Sequence, residues 1–288
     1  MKEVSRLKNI SSIFSRSTLK KLASDPDAIS GLYKLAHKAG LSGSNALNSY
    51  NLYELYELAY SELSVLYRNE YIYKNVIAEK IIKGKYRLSP RCYYASEFRV
   101  HDSIADVVIA NGTTAAYEIK TELDSLDRLD YQISNYSKVF DKIYVVIPDS
   151  KYKAWSHKIP DFSGIITLTK NHTLSIKRDA KTDIDRINLN SIFYCMRREE
   201  IISSIKDNFG EIPNVKPVHL KDACKELFLT LSKNMAHETF LKALKRRSLS
   251  DGVREILKNT PPSLTSAVLS ANFSKREVSS LVRIFKAA

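Results

Sequence analysis

The stretch SEFRVHDSIADVVIANGTTAAYEIKTELDSLDRLDYQISNY, Ser96–Tyr136, decides how this chain reads. Two β-branched runs, Ile104–Ile109 and Thr113–Lys120, flank Asn111-Gly112, and that pattern predicts a hairpin. The first run carries one acid, Asp106, and the second ends on Glu118-Ile119-Lys120. Alternation along a strand sends Glu118 and Lys120 to one face and Ile119 to the other. Loop length decides where Asp106 goes. A two-residue Asn111-Gly112 loop pairs it with Tyr117 and turns it away from Glu118. A three-residue loop, Ala110–Gly112 with Gly112 left-handed, pairs it with Ala116 and brings it to the face of Glu118.

Charges on one side of an apolar sheet are costly unless they are paired or bind a metal. A divalent cation supplies one explanation. Asp106 and Glu118 offer the hard, ionised oxygens that Mg²⁺ takes, leaving positions for water and a substrate phosphate. Lys120 would then orient or deprotonate the attacking water, or neutralise charge developing on phosphorus. Downstream, Asp124–Phe140 has acids suited to a helix start and an apolar stripe of Leu126, Leu129, Ile133, Val139 and Phe140. Gln132 and Tyr136 lie four apart on one face of that helix. They either aim at the strand ends or sit, respectively, in solvent and at the edge of the core.

Together these residues resemble the PD-(D/E)XK, or restriction-endonuclease-like, nuclease superfamily. Asp106 stands for its first acid, with Ala105 where the name has proline, and Glu118-Ile119-Lys120 is similar to its E-x-K element. Gln132-Ile133-Ser134-Asn135-Tyr136 resembles the Q-x-x-x-Y element of the RecB-type branch. Asn69-Glu70-Tyr71, Glu97-Phe98-Arg99-Val100 and the Tyr117–Leu126 segment also look like a bacterial group of uncertain role. The likeness covers roughly residues 60–150. It implies a metal site of Asp106, Glu118 and the helical Glu70, holding Mg²⁺ or Mn²⁺. It also implies catalytic roles for Lys120, Gln132 and Tyr136. Glu79, on the same expected helix, and Glu97, on the opening strand Tyr93–Val100, compete with Glu70 for the third acidic place.

The chain has 288 residues, enough for an ample core, and a formal charge of +13, which suits a polyanion such as nucleic acid. Its three cysteines, Cys92, Cys195 and Cys224, have neither metal-site spacing nor even pairing, so a reduced, cytoplasmic protein is expected. No apolar run approaches a membrane span, and Met1–Phe14 is too polar for a signal peptide.

The patterning divides the chain into three regions: helices over residues 1–58, a nuclease-like core over 59–185, and a basic helical region over 186–288. In the first, Leu19–Leu22, Ile29–Ala39 and Ala46–Leu58 have helical spacing. Ser61–Ile82 reads as one long helix with Glu70 at its middle. Lys142–Ile147 is an apolar run expected to pair in parallel after the crossover helix, and Gly164–Thr169 with Thr173–Lys177 forms a second hairpin. Further on, Ser191–Phe209, Leu220–Met235, Glu238–Lys245, Val253–Leu257, Ser263–Leu269 and Ser274–Phe285 read as helices.

The expected fold is α/β, a central mixed sheet flanked by helices with helical regions at both ends. Arg197-Arg198 and Lys245-Arg246-Arg247 are the densest basic clusters; Lys245, Arg246 and Arg247 are expected to meet nucleic acid, and the C-terminal helices are open to a protein partner. The function read from all this is a metal-dependent nuclease with DNA favoured, in a phage-related, defence or repair setting. The alternative is a catalytically silent nucleic-acid-binding or partner-binding protein on the same fold.

Overall fold

A computed structural model describes residues 2–25, 27–41, 50–247 and 249–286. Among the described residues, five α-helices precede the sheet: α1 (Lys2–Ser12), α2 (Arg16–Ser24), α3 (Ala28–Lys38), α4 (Leu52–Leu66) and α5 (Glu70–Ile77). Residues 46–49, where a helix start was expected, lie outside the described residues. The described part opens at Asn51, whose side chain caps Glu54 N–H while Glu54 bonds back, a reciprocal capping box.

The long helix expected over Ser61–Ile82 is instead two. Asn69 accepts from the Ile72 N–H and restarts the helix, so Glu70 is its first residue, where the helix dipole favours an acid. After Ile77 the helix widens into a π-type segment, Ala78–Lys85.

The sheet comes next: β1 (Tyr93–Val100), β2 (Ser103–Asn111), β3 (Thr113–Ile119), then α6 (Leu129–Ser137), β4 (Lys142–Pro148), α7 (Tyr152–Trp155), β5 (Gly164–Leu168) and β6 (Leu174–Arg178). The strands lie in chain order, β1 to β6. Neighbours β1/β2, β2/β3 and β5/β6 are antiparallel, whereas β3/β4 and β4/β5 are parallel, with α6 as the crossover between β3 and β4. This is the expected α/β arrangement, a mixed sheet between helices.

α6 is shorter than the pattern predicted. Asp124 turns back to accept from the Thr121 N–H and hydroxyl, both at 2.8 Å, and Ser125 bonds Asp127 at 2.7 Å. These short polar side chains satisfy a loop instead of a first helical turn.

The remaining helices are α8 (Leu189–Cys195), α9 (Arg198–Phe209), α10 (Leu220–Leu229), α11 (Lys233–Arg246), α12 (Asp251–Asn259), α13 (Thr265–Ser270) and α14 (Lys275–Lys286). One expected helix is split and one expected break moves. Glu200 accepts from the Arg197 N–H at 2.7 Å and starts α9, splitting Ser191–Phe209. Ser232 caps α11, so the break falls there and not after Met235.

Each face of the sheet has its own helical layer. Val107, Ile109, Ala115, Tyr117 and Ile119 pack into a core shared with α1–α5 and α12–α14. Val108, Ala110 and Ala116 pack into the other, with α6 and α8–α11. The two chain ends therefore meet in one layer, where Lys20 of α2 bonds Glu277 of α14 at 2.9 Å. Fully buried side chains such as Tyr56, Tyr73 and Phe14 anchor it, each contributing about 1.5–3 kcal/mol through removal from water.

Beside the register shift at Ile165/Ile166, the sheet is irregular at β1 and β2. Ala95 and Phe98 of β1, three residues apart, both face the second layer, and so do Ala105 and Val108 of β2. Strict alternation forbids this, so the pleat changes phase between them. Glu97, with φ of +57°, takes up the change on β1. Asp106 is its neighbour on β2.

Candidate functional site: an acidic row across three strands

The hairpin register sets the geometry. Asn111 pairs with Thr113 across Gly112, which is left-handed at φ of +79°. The loop is thus shorter than the three residues expected, and Ala116 faces Val108 rather than Asp106. Continuing from Val107 opposite Tyr117, Asp106 falls opposite Glu118. The printed pairing ends at Val107 opposite Tyr117, where the pleat of β2 changes phase, and Asp106 lies near enough to Glu118 for their charges to interact. On the other flank, Ser96 opposite Val107 and Phe98 opposite Ala105 place Glu97 beside Asp106. Glu97, Asp106 and Glu118 therefore form a row over adjacent strands, with backbones spaced by about 4.8 Å per strand.

At this row β2 and β3 diverge. The Ile119 N–H donates to Asp106 Oδ2 at 2.7 Å, so a carboxylate has replaced a backbone partner. On its far side β3 stays tied to β4, the Lys120 N–H donating to Val146 O at 2.9 Å.

Inside the second layer, Glu118 is 2% exposed and both its oxygens are engaged. Lys120 Nζ donates to Oε1 at 2.9 Å, and the Tyr136 hydroxyl lies 2.8 Å from Oε2. Lys120 also donates to Gln132 Oε1 at 2.9 Å. Gln132 and Tyr136 thus both aim at the strand ends. Tyr136 lies 2.7 Å from Ile104 O as well, so one hydroxyl proton faces two acceptors. Burial raises the Glu118 pKa, against the pull of Lys120, Tyr136 and Gln132. Burial, then the charges of Glu118 and Glu70, hold Asp106 well above the usual carboxylate range, opposed by Lys74 and the Ile119 N–H.

Outside the row lies a second cation. Lys74 of α5 is 7% exposed, pairs with Glu70 and lies 3.5 Å from Glu97, which also pairs with Arg16. The Lys74 pKa is raised: burial pulls it down, and the charges of Glu70, Asp106 and Glu97 more than offset this. Neither Lys74 nor Arg16 was singled out in the sequence. The Glu70-x-x-x-Lys74 spacing was a legible signal for the first; Arg16 had none, being 81 residues from its partner. Glu79 points elsewhere, to Lys83 and Thr265.

Among the described residues, no group of three or more His, Cys, Asp or Glu side chains stands together as a metal site. Glu70 is held by Lys74, so the expected set of Asp106, Glu118 and Glu70 is not assembled. Two buried carboxylates with raised pKa values remain, and these fit Mg²⁺, which needs only one or two protein carboxylates beside water and phosphate. A divalent charge there would relieve the repulsion that raises both pKa values.

The basic triplet divides. Lys245 is half-buried, and Arg246 is half-exposed and bonds Asp207 at 2.8 Å. Arg247 is 8% exposed, closing on Glu200 at 2.5 Å and on Cys195 O at 3.1 Å. Expected to meet nucleic acid, Arg247 is instead committed to a buried ion pair, because α9 carries Glu200 beneath it. Cys92, Cys195 and Cys224 are free thiols. Among the described residues, no helix is long and apolar enough to cross a membrane.

Comparison with known proteins gives one consistent result. Protein cII of Enterobacteria phage P4 is 24% identical over 179 residues, 61% of either chain, so the chain spans about three fifths of that relative's length. No solved structure matches. The family described as bacteriophage P4 protein cII matches residues 64–266, from the end of α4 into α13, with Glu70, Lys74, the acidic row and α6 inside it. The chain belongs to the bacteriophage P4 protein cII family.

Proposed function

We propose that this protein is a metal-dependent nuclease that hydrolyses phosphodiester bonds in nucleic acid, with DNA the favoured substrate. One observation carries the reading: Asp106 and Glu118 lie at the diverging ends of β2 and β3, close enough for their charges to interact, with Lys120 bonded to both Glu118 and Gln132. The resemblance of Asp106, Glu118-Ile119-Lys120 and Gln132…Tyr136 to the PD-(D/E)XK superfamily supports it, as does the +13 charge. The family's phage name supports a phage-related setting.

Mg²⁺ or Mn²⁺, held by Asp106 and Glu118, would supply positive charge against a phosphate and make water more acidic. Gln132 holds the Lys120 ammonium in place, where it orients the attacking water or neutralises charge developing at phosphorus. Tyr136 bonds to Glu118 and fixes the carboxylate for its metal-binding role.

A second reading has its own support. Lys74 and Lys120 already balance the acids, as they would in a binding protein that no longer cuts. Cleavage of linear, circular and single-stranded substrates, with Mg²⁺ or with a chelator, separates the two. The nuclease reading expects metal-dependent cutting, and a Lys120→Ala rate lower by about 10²–10³ at nearly unchanged substrate affinity. No metal-dependent cutting of any substrate gives the second reading.

A further inference from the structure

Two hollows lie side by side at the β1 edge of the sheet. The first, of about 510 Å³, is bounded by Arg16, Glu70, Lys74 and Glu97, the outer half of the acidic site. The second, of about 440 Å³, is bounded by Arg197, Arg246, Arg247, Ser250 and Asn272. Ser96 of β1 and Ser270 of α13 line both. Their hydroxyls bond at 2.8 Å and form the saddle at which the two hollows adjoin. Tyr93 lines the second hollow and Glu97 the first, four residues along one strand, which is about 13 Å.

The two ends differ in charge. Around the first hollow, Arg16 and Lys74 are matched by Glu70 and Glu97. Among the described residues no carboxylate lines the second, which has three arginines and the polar groups of Ser250 and Asn272. Arg247 is withdrawn into its pair with Glu200, but Arg197 is exposed and forms no ion pair among the described residues. Arg246 keeps half its side chain in solvent and pairs with Asp207, which lies outside the lining of this hollow.

We infer that this groove is the track of a single nucleic-acid strand: its backbone phosphates bind Arg197 and Arg246 while the strand continues over the Ser96–Ser270 saddle to the acidic row. The chemistry recognised is a chain of phosphodiesters. A positive groove with hydroxyl and amide donors tracks one backbone without reading sequence. The inference rests on the nuclease reading for what happens at the acidic row, but its binding claim stands apart from catalysis.

The test measures binding of the full chain to labelled single-stranded DNA, the same sequence as RNA, and a duplex. Anisotropy is read with a chelator present, between about 50 and 200 mM salt. The double variant Arg197→Gln/Arg246→Gln should bind either single strand more weakly. Its salt slope should fall by about 1.4, at about 0.7 for each phosphate no longer neutralised. Lys153→Gln/Lys158→Gln, on the connection between β4 and β5 and lining neither hollow, should keep the wild-type slope, and melting curves check that both variants are folded.

An unchanged slope in the arginine variant overturns the inference, and so does a duplex that binds as tightly as the single strands with the same weakening. The two proposals fail separately. A wild type that binds single strands through these arginines but never cuts keeps the groove and loses the nuclease. Metal-dependent cutting that survives in an arginine variant with unchanged slope keeps the nuclease and loses the groove.

Discussion

Asp106 stands between two lysine-centred clusters that solve the same problem differently. On the inner side, Lys120 and Glu118 are both buried, and every polar atom between them and Tyr136 has a partner. On the outer side, Lys74 is equally buried, but its partners Glu70 and Glu97 are half in solvent at the wall of a hollow. A buried charge with buried partners has no recourse to water, so the inner cluster is rigid and intolerant of loss. Carboxylates open to water can rehydrate when a partner leaves. The inner cluster is therefore suited to holding reacting groups still, and the outer one to exchanging ions and ligands.

The largest effect that tests this contrast comes from truncating each lysine. Lys120→Ala strands Glu118 in an apolar layer and should lower stability by about 3 kcal/mol near neutral pH, the low end for a broken buried pair because Glu118 can take up a proton. Lys74→Ala should lower it by about 1 kcal/mol, since Glu70 and Glu97 rehydrate. Denaturant melts of both variants check this. Equal losses would mean that exposure of the partners does not govern the difference.

The inner cluster was largely legible in the sequence and the outer one was not. Asp106, Glu118, Lys120, Gln132 and Tyr136 come from a hairpin and the helix after it, where period-two and period-four spacing fix the faces. The parity of the hairpin was legible for the same reason. Its register was not, because pairing across Gly112 alone is a choice of backbone geometry that Asn-Gly does not announce. Lys74 and Arg16 meet Glu97 only through the packing of two separate helices on β1. Arg247 looked like a free charge because Glu200 lies 47 residues away. Helix boundaries slipped at Asn69, Asp124, Arg197 and Ser232, where side-chain or main-chain caps beat a continuous apolar stripe.

A medium effect concerns proton uptake at the divide. Asp106 and Glu118 both have folded pKa values above their unfolded ones, so the folded state holds protons more tightly. Metal-free stability then falls as pH rises from the usual carboxylate range through the raised folded values, and levels off above them. Asp106→Asn keeps an oxygen for the Ile119 N–H but removes the larger of the two perturbations. It should flatten the pH profile, equal the wild type at acid pH, and exceed it above the window. On the nuclease reading, Mg²⁺ should raise the wild-type melting temperature and not that of the variant. Melting curves across pH with a chelator decide the first part, and a variant with the wild-type slope would move the proton uptake elsewhere.

The smallest effect isolates the phase change itself. Glu97 holds a left-handed backbone, which costs a non-glycine residue about 1–2 kcal/mol, while its ion pairs with Arg16 and Lys74 at half exposure return about 0–1 kcal/mol. In an ordinary strand glycine is less stable than alanine by about 0.5–1 kcal/mol, because it loses more chain entropy on folding. At position 97 the order should invert. Glu97→Gly and Glu97→Ala lose the same ion pairs, so their difference reports only the backbone, and the glycine variant should be the more stable by about 1 kcal/mol or less. Paired denaturant melts at high salt, where the exposed charges are screened, measure that difference directly. If alanine proves the more stable, the strand relaxes on losing the glutamate. Glu97 would then draw its conformation from Arg16 and Lys74, and the outer cluster would be shaping the row instead of merely balancing it.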